Sequence, residues 1–189
     1  VSVYAFDISW SRLYRGLDFW KEHVKNKEIQ LNAFVADMKE IPIASKSIDI
    51  VTSSHALEPN GGDITKLLKE LFRICRDRLV LFEPSYELNS KEGKARMDRL
   101  GYIKDIEGTV KQIGGIVHDI IPTRNTSNPL NPTACFIIEP STESDKYFDS
   151  AGNLSPFTVP GSDYKISKRD GFFISAETGI AFPILKGIP

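Results

Sequence analysis

Apolar and polar positions along this chain follow two different periods, and the change of period marks out its elements. Residues 1–6, VSVYAF, form an unbroken β-prone apolar run, the pattern of a strand buried on both faces. Over 11–24 the apolar positions Leu13, Leu17, Trp20 and Val24 recur at three- and four-residue steps, which predicts a helix capped by Ser9 or Ser11. A short strand is expected at 31–35, a loop around Pro42 over 39–48, and a third strand at 49–53. Gly61-Gly62 then breaks the chain. Leu67, Leu68, Leu71, Phe72 and Cys75 share one face of a helix over 64–75, and a fourth strand occupies 78–84. Apolar strands alternating with amphipathic helices imply a parallel sheet covered on both faces.

The pattern changes after Glu83. Helices are predicted at 91–100 and 105–113, then strands at 115–121 and 133–139, joined by the turn-rich PTRNTSNPLNP. Two strands with no helix between them form an antiparallel pair. From 140 to about 160 the chain is rich in Ser, Pro, Asp and Gly, the composition of a linker. The remainder holds short strand candidates at 171–173 and 181–185 and is too small to carry a core unaided. The expected fold is α/β: a Rossmann-like, mostly parallel sheet with a terminal antiparallel strand pair, plus a small β-rich C-terminal tail. The corresponding divisions are 1–140, a linker at 141–158 and a tail at 159–189.

Composition narrows the function classes. With 24 basic and 25 acidic residues the net charge is -1, so no field of one sign draws in nucleic acid or an anionic membrane. No apolar run is long enough to span a bilayer, and no secretory signal pattern is present in these residues. Cys75 and Cys135 each lie inside an apolar segment and read as buried thiols, not as a disulfide framework or a metal site. A reducing, cytoplasmic compartment is the matching expectation.

Asp7, Asp37 and Glu83 stand at the ends of predicted strands. In an open parallel sheet, ligands bind beyond the carboxyl ends of the strands. A carboxylate there can accept two hydrogen bonds from a ribose diol, which suits Asp7, or one from an adenine amine, which suits Asp37. The plainer alternative is that such acids cap helices or face water.

FDIS, VADMKEIPIASKSIDIVTSSHALE and LKELFRICRDRLVLFEP, in this order and spacing, resemble the class I S-adenosylmethionine-dependent methyltransferases. The nearest group is the small-molecule methyltransferases typified by ubiquinone and menaquinone biosynthesis. The resemblance covers residues 1–139. It implies S-adenosylmethionine as cosubstrate: Asp7 on the ribose hydroxyls, Ile8 on the adenine face, Asp37 on the adenine amine and Met38 lining the ring. Ser53, Ser54 and His55 would run beside the methionine part. Ile8 and Met38 are equally read as core packing. One departure stands out. The family pattern opens with a strand and a glycine-rich loop ahead of the strand carrying the ribose acid, and neither is found before Asp7. The expectation is that an upstream piece precedes Val1, or else that half the cosubstrate cradle is lost.

Methyl transfer from a sulfonium needs an aligned acceptor and, for oxygen or nitrogen nucleophiles, a proton acceptor. His55 is the candidate catalytic base, with Glu58 to orient it; Glu83 and Tyr86 lie at the next strand exit. A structural or cofactor-lining histidine is the plainer reading of His55, and His23 and His118 read as structural. His55-x-x-Glu58 has too few ligands for a metal.

The ending FISAETGIAFPILKGIP resembles a second family, the short zinc-ribbon activators of RNA and protein methyltransferases. In place of that family's cysteines stand Ser175 and Thr178, with the earlier pair falling at Val159 and Ser162. Hydroxyls are poor zinc ligands at neutral pH, so no metal is expected. Such ribbons often continue past Gly-Ile-Pro, and the tail could serve a protein partner.

The leading expectation is methyl transfer to a small-molecule acceptor. The alternative is a catalytically degenerate methyltransferase-like scaffold that binds a protein. A nicotinamide-dependent Rossmann enzyme also places an acid at the end of its second strand, but the late antiparallel pair speaks against it. An RNA substrate is disfavoured by the near-neutral charge.

Overall fold

The computed structural model describes residues 1–24, 28–60, 64–124, 128–141 and 155–189. The chain divides into two compact units, one of Val1–Ala44 with Ala151–Pro189 and one of Ser45–Ser150. The fold is α/β, with Rossmann-like mixed strand topology, helices, and a smaller antiparallel sheet at the C-terminus. The Gly61-Gly62 break and most of the expected linker 141–158 lie outside the described residues.

In the first unit, β1 (Ser2–Asp7) and β2 (Gln30–Val35) form a two-stranded parallel sheet. Helix α1 (Trp10–His23) connects them, and the Ser9 side chain caps it by accepting from the Arg12 amide. Leu13, Leu17 and Trp20, on the face that the three- and four-residue spacing selects, are half-buried together with Trp10 and Tyr14, and Val24, half-buried too, caps the helix's C-terminus. β1 itself is half-buried, not buried as its apolar sequence predicts. It pairs only with β2 among the described residues, and a strand at a sheet edge has less to cover it.

The C-terminal segment joins this same unit. Strands β7 (Ser167–Arg169), β8 (Phe172–Ile174) and β9 (Ala181–Pro183) form an antiparallel meander. Main-chain bonds tie the segment to the loop after β2: Ala44 N donates to Pro156 O at 2.8 Å and Thr158 N to Pro42 O at 3.1 Å. At its far end Val35 N donates to Pro189 O at 2.8 Å. Phe157 is the packing hub, with ring centroids 5.7 Å from Tyr4, 5.1 Å from Phe34 and 5.6 Å from Phe173, each in an edge-to-face arrangement. Such pairs stabilise beyond their area burial. The tail therefore acquires a core by sharing one.

The second unit carries a four-stranded sheet in the order β3-β4-β6-β5. β3 (Ile48–Ser54) and β4 (Cys75–Pro84) are parallel, connected through α2 (Thr65–Ile74). β6 (Thr133–Glu139) runs antiparallel to both β4 and β5 (Ile116–Pro122), as the absence of an intervening helix predicts. The strands expected in one sheet thus pair as a two-stranded sheet in the first unit and a four-stranded sheet in the second. Leu67, Leu68, Leu71, Phe72 and Ile74 of α2 are buried; Cys75, read as the helix's last core residue, instead opens β4. Helices α3 (Lys91–Leu100) and α4 (Ile106–Gln112) add Met97, Ile106 and Val110 to the core. Lys46 is buried beside the end of α2, where its Nζ donates to Phe72 O and Ser141 O, each at 3.1 Å. Cations are favourable at that end of a helix because its last carbonyls lack intrahelical partners.

Candidate functional site

Asp7 and Asp37 sit at the same rim of the β1–β2 sheet. The strands are parallel with Asp7 opposite Val35, so both chains leave at their carboxyl ends side by side. Asp37 follows two residues beyond the last ladder pair, and Ala36 N donates back to Asp7 O at 3.3 Å. Asp7 Oδ1 accepts from Ser9 N at 2.7 Å, and Oδ2 lies 3.3 Å from the Arg12 guanidinium. With 75 % of its side chain exposed against 30 % for Asp7, Arg12 makes a solvated ion pair, not a buried lock. A carboxylate has about four acceptor positions, so two remain for a diol. Asp37 Oδ1 accepts from Lys39 N at 2.9 Å, closing the turn after β2; Oδ2 has no hydrogen bond among the described residues.

Ile8 and Asp37 contribute to one cavity of about 340 Å³ within this unit. Phe34, Val35, Ala36 and Pro42 line it from the β2 side, and Phe157, Ile166, Phe173, Phe182 and Pro189 from the C-terminal segment. Ile8 is 70 % exposed, an unusual fraction for an isoleucine that merely packed a core. Met38 is half-buried in the turn and is not on that cavity's wall.

Ser53, Ser54 and His55 belong to the second unit, at the carboxyl end of β3. Ser53 Oγ donates to Glu83 Oε1 at 2.8 Å, and Ala56 N and Leu57 N donate to the same oxygen at 3.1 and 3.2 Å. Glu83 is fully buried, and its Oε2 has no hydrogen-bond partner among the described residues. Burial pushes its carboxyl above the usual glutamate range, opposed by those three hydrogen bonds and by nearby His55. His55 stands in the left-handed region at φ 51°, which a non-glycine residue adopts only when its surroundings hold it. Its Nδ1 is 2.7 Å from Glu58 Oε2, and its Nε2 is 2.9 Å from Thr133 Oγ1. A carboxylate oxygen only accepts, so Nδ1 donates to Glu58, and in the neutral ring Nε2 then accepts from the threonine hydroxyl. This is the arrangement in which a carboxylate orients an imidazole base. Asn131 extends the chain of contacts, donating to Glu58 Oε1 at 3.4 Å, while its own buried Oδ1 has no partner.

At the next strand exit, Tyr86 Oη donates to Asp98 Oδ2 at 3.2 Å, and the ammonium groups of Lys94 and Lys104 lie 5.5 and 5.1 Å from its ring centroid. His23 stacks on Phe19 at 4.0 Å between centroids, and His118 Nε2 meets Glu139 Oε2 at 2.8 Å. The His118 bond, with Arg78 beside it, lowers the Glu139 carboxyl below its usual range. Cys75 is buried and its thiol is pushed up to about 11 by desolvation. Cys135 is only half-buried, not buried as its apolar neighbours predict, because β6 alternates and its odd positions face away from the core. Both thiols are free.

In the C-terminal segment, the positions matched to ribbon cysteines close turns by hydrogen bonding. Ser162 Oγ donates to Val159 O at 3.0 Å and accepts from Tyr164 N at 3.3 Å. Ser175 Oγ accepts from Thr178 N at 3.4 Å, and Thr178 Oγ1 from Ile180 N at 3.3 Å. No group of His, Cys, Asp and Glu side chains suited to a metal ion occurs among the described residues. No helix among them is long and apolar enough to cross a membrane.

Sequence reasoning singled out Asp7, Ile8, Asp37 and the Ser53–His55 exit, but gave Glu83 no role. Its signal was present, an acid ending an apolar strand; which oxygen would be left unpaired is a matter of three-dimensional neighbours.

A family model described as a methyltransferase domain matches residues 2–81. No curated protein matches the chain. Among solved structures, it is similar to a SAM-dependent methyltransferase from Methanosarcina mazei, with TM-score 0.59 and 13% identity over 74% of this chain and 82% of that one. It is similar also to a SAM-dependent methyltransferase from Aquifex aeolicus, with TM-score 0.52 and 15% identity over 72% of this chain and 68% of the other. A third is the geranyl diphosphate C-methyltransferase of Streptomyces coelicolor, solved with S-adenosyl-L-homocysteine, with TM-score 0.52 and 12% identity over 73% of this chain and 62% of that one. At these identities the likeness is one of fold: a class I methyltransferase-like Rossmann fold.

Proposed function

We propose, from the premise of a methyltransferase-like Rossmann fold, that the chain takes part in S-adenosylmethionine-dependent methyl transfer to a small-molecule acceptor. The observation that carries this reading is the placement of Asp7 and Asp37 at one rim of a parallel strand pair, each with acceptor capacity to spare. Two acids so spaced suit the two donor groups of an adenosine, the ribose diol and the adenine amine. In this reading Asp7 takes the diol, Asp37 the amine, and Ile8 packs on the ring, while Met38 lies off the cavity wall. Within the second unit, His55 oriented by Glu58 has the arrangement of a general base for an oxygen or nitrogen acceptor, its Nε2 facing the exchangeable Thr133 hydroxyl. The cosubstrate, when bound, supplies an electrophilic methyl group on a sulfonium.

Calorimetry of the full chain with S-adenosylhomocysteine tests the reading. One-site binding that weakens at least about tenfold in Asp7→Ala is expected, the loss of one charge-assisted hydrogen-bonding group. No binding by the wild type overturns it. One observation favours a second reading, that of a degenerate scaffold for a protein partner: Arg12 already occupies one side of Asp7. If Arg12→Ala restores binding that the wild type lacks, that second reading holds.

A further inference from the structure

We infer that the C-terminal segment supplies one wall of the adenine pocket, so that the tail is part of the cosubstrate site and not an appendage to it. The inference rests on the proposed methyl-transfer reading and deepens it. Ile8 and Asp37, the residues that reading assigns to the adenine, open onto a cavity of about 340 Å³ that β2's exit shares with Phe157, Phe173, Phe182 and Pro189. That volume lies at the small-molecule end of ligand pockets, about 300–1,000 Å³.

The chemistry of the cavity selects a purine. Its walls are almost wholly aromatic, aliphatic and proline side chains, surfaces on which a flat ring stacks at little cost in desolvation. Its polar contribution comes from few groups, and Asp37 among them has an oxygen, Oδ2, with no hydrogen bond among the described residues. An acceptor beside an apolar slot fits a ring that carries an exocyclic amine. A purely aliphatic guest would leave that acceptor unmatched, and an anionic one would be repelled by it.

The wall is held as firmly as the strands it faces. Phe157 lies between Phe34 and Phe173, joining tail and sheet in one aromatic cluster, and the bonds Ala44 N to Pro156 O and Val35 N to Pro189 O anchor the segment near both its ends. Phe182, the half-buried middle residue of the meander's last strand, is the wall's phenylalanine with surface left to give a ligand, Phe34, Phe157 and Phe173 being buried.

The test uses the full chain, with adenosine and S-adenosylhomocysteine as calorimetric probes. Phe182→Ala and Asp37→Asn are each expected to weaken both probes about tenfold. Ile180→Ala, an exposed position of the same segment off the cavity wall, is expected to leave them unchanged. Failure of the wild type to bind S-adenosylhomocysteine removes the methyl-transfer reading itself. Wild-type binding that Asp37→Asn weakens and Phe182→Ala does not overturns the tail's role alone. Should Phe182→Ala lose its cooperative thermal transition, Phe182→Trp decides: quenching of the new indole by adenosine supports the wall, and an unchanged emission refutes it.

Discussion

Ser53 and Glu83 meet across the parallel β3–β4 ladder, with the serine hydroxyl donating to Oε1 at 2.8 Å. That oxygen collects the amides of Ala56 and Leu57 as well, while Oε2 is buried and unpartnered. One carboxyl group thus pins the strand exit on both sides of His55, and its burial disfavours its ionised form.

The consequence is a pH dependence of stability. Burial raises the folded-state pKa of Glu83 above the ordinary 4.5, so the folded chain binds this proton more tightly than the unfolded chain. Its stabilising contribution is complete below that ordinary value and is lost as pH rises through the raised one. Glu83→Gln removes the titration. Denaturant unfolding should show the wild type losing stability relative to Glu83→Gln as pH rises from 4.5 toward neutrality, by about 1–3 kcal/mol, the cost of an unsatisfied buried polar group. A wild type that gains on the variant over this range would show that the three donors hold the carboxylate ionised.

His55 at φ 51° makes a second case. Glycine relieves left-handed strain by about 1–2 kcal/mol, while the two side-chain hydrogen bonds are worth about 0.5–1.5 kcal/mol each. His55→Gly should therefore change unfolding stability by no more than about 2 kcal/mol despite the loss of an imidazole. A loss above about 3 kcal/mol would show instead that the ring is a keystone of the fold.

The two thiols should separate kinetically. Cys75 is buried with its thiol raised to about 11, so almost none is thiolate at pH 8, whereas Cys135 is half-exposed. A disulfide reagent added to the native chain at pH 8 should label Cys135 first, and Cys75 only on a timescale set by unfolding. Equal rates would contradict the buried placement of Cys75.

Metal content tests the tail. Ser162, Ser175 and Thr178 close their turns with hydroxyl hydrogen bonds where a ribbon would use thiolates. Elemental analysis of protein made in zinc-supplemented medium should find well under one zinc per chain, and chelator should leave the thermal midpoint unmoved. Stoichiometric zinc would sink this.

Much of this molecule was legible in one dimension. The period of the apolar positions marked the helix faces of α1 and α2, and the turn-rich PTRNTSNPLNP between two strands with no helix foretold the antiparallel β5–β6 pair. These features are set by local spacing, since side chains three or four apart share a helix face and a short connection permits only antiparallel neighbours. Asp7 and Asp37 could be nominated because a strand's end is itself a local event.

Position in space was another matter. An apolar run tells that a strand seeks cover and not whether cover is found, so β1 reads as buried and is half-exposed. Sequence distance hid the partnership of Phe34 with Phe157 and of Val35 with Pro189, contacts that bring the chain's two ends into one core. The unpaired oxygen of Glu83 was equally invisible, because hydrogen-bond satisfaction depends on neighbours from β3, β4 and the loop between them. Periodicity determined what each segment is; long-range packing and the pairing of buried polar atoms, which no local pattern encodes, decided what each segment meets.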